Sequence, residues 1–472
     1  SRLFWARASE ACLRIARTPL SLPRMEEGRA RVELSSPIVG GRSAGGRPQA
    51  REFIKRPRVL FVVALSTLLL ASVALILTIF LPREVEGPPA FSCGSEFKVS
   101  SVAAAERKGL AVDDATFLGC PGKIPASWPN ADEKVVSIRL FKAWDSSWAA
   151  DKRQSAWQAI VDFAKGNGAK VLVGTQITCS EAEDDADWAN VLQLLKMLGP
   201  DHVMGVAIGN ELELLQFKDK KIVPESCVKN VWEGGYLLRK FDEHVRDLDS
   251  LGGFGGVPLT SAFGGAIMAT EPFWNTPDAM VLDFFQKVIA KYGARWVYSL
   301  NVYPYFDPSN QMDPGSADAC TQALGRSQCW SDPSQCLFPG IVKGMRDRMQ
   351  LVSAKNDVLW ITETGWSSPM AGTLADKPIH ACKAFSDEDS LRDYYRGFLQ
   401  WDMQIEGSRG PDHVFYFTVR DSSNFGEGEY FGLIRDCSAK SCKLWRDVAP
   451  RPGPAPAPAP LPSPPRTSWA WA

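Results

Sequence analysis

The run Val358-Leu359-Trp360-Ile361-Thr362-Glu363-Thr364-Gly365-Trp366-Ser367 decides how the rest of the chain is read. Its first half is apolar and rich in β-branched and aromatic residues, the composition of a short buried strand. The strand then ends on a carboxylate. An unpaired buried charge costs several kcal/mol, so Glu363 needs a partner or a task. Gly365 lets the backbone turn sharply just beyond it. Trp366 offers a flat apolar face of the kind a sugar ring stacks on. These features mark Glu363 as half of a catalytic pair.

Working outward, the chain alternates. Strands are expected at Val135–Phe141, Lys170–Ile177, Val203–Ile208, Val257–Phe263, Trp296–Tyr303, Val358–Thr362 and Val414–Val419, with a weaker first candidate near Thr116–Leu118. Helices are expected between them at Ser155–Asn167, Trp188–Leu198, Gly235–Leu251, Met280–Tyr292, Ile341–Ala354 and Ser390–Glu406. Strands that are apolar throughout, separated by helices, indicate a parallel sheet buried on both faces. Eight such units predict an α/β fold, a (β/α)8 TIM barrel. A doubly wound open sheet is the rival, but no G-x-G-x-x-G follows an early strand.

Barrel enzymes work at the C-terminal ends of their strands. Reading those ends yields Arg139 on the second strand, Asn210 and Glu211 on the fourth, Tyr303, Tyr305 and Phe306 after the sixth, and Glu363 on the seventh. Two carboxylates, many aromatics and no metal-ligand cluster fit glycosidic bond cleavage. One acid must donate a proton to the leaving oxygen while the other is ionised, so their surroundings must hold their pKa values apart. Asn210 is placed to hydrogen-bond a sugar hydroxyl and Tyr303 to contact the nucleophile. A structural salt bridge between Arg139 and the strand-end glutamate, and a core role for the aromatics, are the plain alternatives. No histidine sits at a strand end and no G-x-S-x-G occurs, which disfavours a serine triad.

The segments GVAIGNEL (205–212), LNVYPYF (300–306), ITETGW (361–366) and YFGLI (430–434) together resemble glycoside hydrolase family 17, the β-1,3-glucanases. The resemblance spans roughly 109–435. It implies a (β/α)8 barrel, no cofactor, and a retaining mechanism with Glu211 as acid/base and Glu363 as nucleophile. It also implies that Asn210, Tyr303 and Trp366 line the cleft. Two departures stand out. Ser367 replaces the family's usual proline, and FLGCPGKIP (117–125) is at best a degenerate counterpart of the family's first-strand Gly-Tyr-Gly pattern. The implied activity is endo-hydrolysis of β-1,3-glucan. Glucanosyl transfer through the same site, glucan binding without turnover, and action on β-1,4-glucan or mannan are alternatives.

The flanks differ from this body. The 472 residues carry a net charge of −1, yet residues 1–58 hold 13 Lys+Arg against 5 Asp+Glu, which leaves the remainder acidic. Between them Val59–Leu81 has no charged residue, and it is long enough to cross a hydrocarbon core of about 30 Å as a helix. The expected organisation is a basic cytosolic tail (1–58), a transmembrane signal-anchor helix (59–81), a stalk (82–108), the barrel (109–447) and a Pro/Ala-rich tail (448–472). That makes a single-pass type II membrane protein with its barrel outside or in the lumen. The expected partners are a β-glucan polysaccharide and, through one helix, the membrane, with no nucleic acid. Ten of the 11 cysteines follow the apolar run, as disulfides in an oxidising space would require. Close spacing predicts local loops at Cys437/Cys442 and at Cys320/Cys329/Cys336.

Overall fold

The structure is a computed structural model that describes residues 97–218, 220, 223–269, 280–307, 317–353, 355–369, 382–424, 427–439 and 441–444. Eight strands form one sheet: β1 (Lys108–Val112), β2 (Ser137–Leu140), β3 (Lys170–Thr175), β4 (Val203–Asn210), β5 (Leu259–Gly264), β6 (Tyr298–Asn301), β7 (Leu359–Thr364) and β8 (His413–Phe417). Every neighbouring pair is parallel, and β1 pairs with both β2 and β8, so the sheet closes into a barrel. After each of the first seven strands comes a principal helix: α1 (Asp114–Gly119), α2 (Arg153–Asn167), α3 (Glu181–Leu198), α4 (Tyr236–Ser250), α5 (Met280–Tyr292), α6 (Leu337–Val352) and α7 (Glu388–Gln400), with shorter helices at Glu225–Trp232, Ala266–Ala269 and Ala317–Ser327. The predicted (β/α)8 barrel is present.

The first strand lies elsewhere than expected. Residues 114–119 are helical because the Asp113 side chain caps them, accepting from the Thr116 amide at 2.8 Å. The strand is Lys108–Val112, which the charge of Lys108 conceals in the sequence. That lysine is fully buried, and its Nζ bonds the carbonyl oxygens of Ala103 at 2.6 Å, Leu399 at 3.1 Å and Trp401. Three carbonyl acceptors replace the lost water, and burial pushes the amine down to about 7.

Helix α7 stops at Gln400, six residues short of its predicted end. Beyond it the chain turns through Met403 at φ 64°.

Two expectations about the flanks need correcting. Among the described residues no helix is long and apolar enough to cross a membrane. The run 59–81, on which the type II topology rested, lies outside the described residues, as do the basic tail and the Pro/Ala-rich tail. The expected Cys437/Cys442 loop is not formed either. Cys437 pairs with Cys120 across 317 residues of sequence and ties the β1 end of the barrel to the segment after β8. Further pairs among the described residues are Cys179–Cys227, Cys320–Cys382 and Cys329–Cys336, of which only the last closes a short local loop.

Between α3 and α4 the His244 ring stacks on Trp188, with centroids 4.1 Å apart. Neither ring nitrogen finds a hydrogen-bond partner among the described residues. Burial, reinforced by Lys240, pushes this imidazole down to about 4, while Glu243 and Asp185 pull weakly the other way. The unfolded chain takes up a proton near pH 6.5 that the folded chain refuses. Stability from this site is therefore complete above about 6.5 and falls as pH drops toward 4, by about 3 kcal/mol at most. Thermal melts should show His244→Phe, which keeps the stack but cannot titrate, losing less stability than wild type between pH 7 and 4.5. Parallel losses would contradict this role.

Candidate active site

Four strand ends converge at the C-terminal mouth. Arg139 comes from β2, Asn210 and Glu211 from β4, Asn301 and Tyr303 from β6, and Glu363 from β7. The pairing of β6 with β7 shifts register at Leu300/Asn301, which sets Asn301 opposite Glu363. The pairing of β4 with β5 shifts between Ala207 and Asn210, just before Glu211. Such irregularities re-aim side chains at barrel rims.

Arg139 is the hub. Its Nη1 donates to Glu363 Oε1 at 2.7 Å, to Asn301 Oδ1 at 3.1 Å and to the Thr362 carbonyl at 3.0 Å. Its Nη2 donates to Asn210 Oδ1 at 2.7 Å, and its guanidinium lies 4.4 Å from the Phe141 ring centroid. The other Glu363 oxygen, Oε2, accepts from the Tyr303 hydroxyl at 2.5 Å. Glu363 is buried, and each of its oxygens faces a donor, one of them cationic. Burial and the Glu363 charge push the Tyr303 phenol well above its usual range, so it stays a donor.

Glu211 is held differently. Its side chain is partly open to solvent yet enclosed by protein, and its Oε1 accepts from Asn301 Nδ2 at 3.0 Å. Loss of water and then the charge of Glu363 push it up to about 7, against the smaller pull of Asn301 and Arg139. A carboxyl group pushed up to about 7 therefore stands beside one whose two oxygens are both held by donors.

Two predicted platform residues lie elsewhere. Trp366 is 0% exposed, and its Nε1 donates to the Phe385 carbonyl at 2.7 Å. Tyr394, Phe385 and Tyr305 pack around its ring at centroid distances of 5.1, 4.8 and 5.3 Å. Tyr305 is buried too, its hydroxyl 2.9 Å from Ser386 Oγ. Both rings are enclosed by these neighbours and present no face to a ligand. Apolar packing outweighs the amphipathic reading there because helix α7 and the segment before it cover that side of β7. The aromatic at the mouth is Phe306, 48% exposed and packed on Tyr303, Tyr305 and Phe431.

Gly365 serves close approach more than a turn. A Cβ there would collide with the Phe417 carbonyl of β8.

Sequence reading missed three residues. Asn301 donates to Glu211 Oε1 and to Asn210 Oδ1 at 3.2 Å, while its Oδ1 accepts from Thr362 Oγ1 at 2.8 Å and from Arg139, the residue that holds Glu363. A lone amide ending the apolar run Trp296–Leu300 was the available signal. Glu429, in the loop after β8, adds negative charge near Glu211 and Tyr303. Glu213 lies two residues beyond Glu211 and is buried.

No protein-family model matches the chain, and no curated protein does. Solved structures do. A β-1,3-glucanase and pollen allergen of Cryptomeria japonica is 16% identical at a TM-score of 0.46, over 70% of this chain and 95% of its own. One structure from a pair of plant β-glucan endohydrolases with distinct substrate specificities matches at 17% and 0.43, over 69% and 96%. An active-site mutant of the Rhizomucor miehei β-1,3-glucanosyltransferase matches at 12% and 0.35, over 66% and 84%. Scores of this size carry no argument about the chemistry, which rests on the side chains above.

The Asn301 amide steadies the charged form of Glu211, so its loss should raise that pKa. In a pH profile of kcat/KM, Asn301→Ala is expected to move the basic limb to higher pH and lower the maximum by about 10²-fold. An unmoved limb would show that Asn301 does not act on Glu211.

Proposed function

We propose that this chain is a retaining glycoside hydrolase acting on β-1,3-glucan, with Glu211 as acid/base and Glu363 as nucleophile. The observation that carries the reading is the asymmetry of the two carboxyl groups. Glu363 has a buried guanidinium and a phenol hydroxyl on its oxygens. Glu211 has one amide and a pKa pushed up to about 7. The β-1,3-linkage comes from the motif resemblance and fits the named activities of the similar structures.

In the first step a Glu363 oxygen attacks the anomeric carbon as the glycosidic bond breaks. The leaving oxygen takes the Glu211 proton and departs as an alcohol. The sugar is then an ester of Glu363, and Glu363 has lost its negative charge. That charge is the second cause of Glu211's raised pKa, so esterification lowers it and prepares Glu211 to act as a base. Glu211 removes a proton from water, the water oxygen attacks the anomeric carbon, and Glu363 is released as a carboxylate. Tyr303 follows the charge on Glu363 through both steps without giving up its proton.

Transfer to a sugar hydroxyl in place of water uses the same residues. Phe306, exposed at the mouth beside Tyr303, offers an apolar face for such an acceptor. The expected barrel span of 109–447 belongs to this proposal, with its start moved to Lys108, where β1 opens.

Incubation with β-1,3-gluco-oligosaccharides tests both readings. Glu363→Gln should lower kcat by at least about 10⁴-fold. Wild type should release shorter oligosaccharides, and products longer than the substrate would assign transfer. A Glu363→Gln variant with near-normal turnover would refute the nucleophile assignment.

A further inference from the structure

Glu211 sits at φ 51°, in the left-handed region that non-glycine residues adopt only where the surroundings hold them. Backbone bonds supply part of that hold: the Glu211 amide donates to the Ala262 carbonyl at 2.8 Å, and the Leu214 amide donates to the Glu211 carbonyl at 2.9 Å. The remaining link is a side chain. Glu213 Oε1 accepts from the Gly264 amide, the last residue of β5, at 2.6 Å. A Cβ on Gly264 would lie 2.8 Å from Glu213 Oε1 and 4.0 Å from Glu211 Oε1, so the two carboxyl groups flank one glycine.

Glu213 is 4% exposed, and among the described residues its Oε2 has no hydrogen-bond partner. Among the described residues it forms no ion pair, and the charge that acts on it is the negative one of Glu211. A carboxylate in that place would be desolvated, unpaired and repelled. A carboxylic acid keeps the Oε1 bond to Gly264, removes the repulsion and loses far less on desolvation.

We propose that Glu213 is a positioning residue for the acid/base: a neutral carboxylic acid that ties the left-handed turn at Glu211 to the end of β5 and keeps water out from behind it. The inference rests on Glu211 being the acid/base. Burial, and then Glu211, push the Glu213 carboxyl well above its ordinary value, in the required direction. The groups facing Glu211 are Glu363, Arg139, Asn301, Glu429 and this neutral neighbour.

The test is the pH profile of kcat and kcat/KM on β-1,3-glucan for three variants. Glu213→Ala frees the turn and admits water, which relieves the desolvation of Glu211. It is expected to lower kcat at least about tenfold, change KM little, and move the basic limb to lower pH. Gly264→Ala, which keeps Glu213 but fills its space, should act alike. Glu213→Gln mimics the neutral acid and should restore at least about a third of kcat with the wild-type limb. A Glu213→Gln limb shifted downward would mean that Glu213 works as a charge, and the inference fails. It also fails if Glu213→Ala keeps kcat and the limb.

Glu211→Ala separates the two claims. Full activity on glucan would sink the acid/base reading, and the inference with it. Inactivity on glucan together with azide rescue on a dinitrophenyl glycoside, alongside a wild-type-like Glu213→Ala, would leave that reading standing and overturn the Glu213 inference alone.

Discussion

The buried contact between Arg139 and Glu363 is the interaction on which the site depends. A guanidinium taken out of water loses several kcal/mol of solvation, and attraction offsets that only where geometry is good and other donors find partners. Here the terminal nitrogens reach a carboxylate, two side-chain amide oxygens and a backbone carbonyl, from β4, β6 and β7. One side chain on β2 thus fixes the relative position of four strand ends. Removing it would leave Glu363 as an uncompensated buried charge, a change that typically costs about 3–5 kcal/mol.

The same contact divides the labour of the two acids. Arg139 and Tyr303 occupy both oxygens of Glu363, so its negative charge is matched where it stands. That charge then acts on Glu211, which has little to oppose it beyond one amide from Asn301. In the proposed mechanism the pressure on Glu211 drops when Glu363 becomes an ester, and the electrostatic coupling of the pair thereby times the change from acid to base.

Much of this was legible in the sequence because burial on both faces leaves a strong mark. Apolar runs ending in Arg139, Glu211, Tyr303 and Glu363 located seven strands and the mouth of the barrel. The failures have physical causes. Lys108 opens β1, and a charged residue conceals a strand when backbone carbonyls satisfy it. Asp113 caps a helix where a strand was expected. Trp366 and Tyr305 were read as ligand-facing because local pattern cannot show what a distant helix covers. The disulfide between Cys120 and Cys437 could not be foreseen, since pairing across 317 residues follows from closure of the barrel. Asn301 and Glu213 were missed because their importance lies in contacts between strands.

The measurement that tests the central claim most directly is trapping of the intermediate. A 2-deoxy-2-fluoro-β-1,3-linked glucosyl donor with a dinitrophenolate leaving group should form the ester quickly and release it slowly. Intact mass spectrometry should then show one added fluoroglycosyl unit, and peptide mapping should place it on Glu363. A label on another residue, or steady turnover to an inverted product with no adduct, would contradict the account.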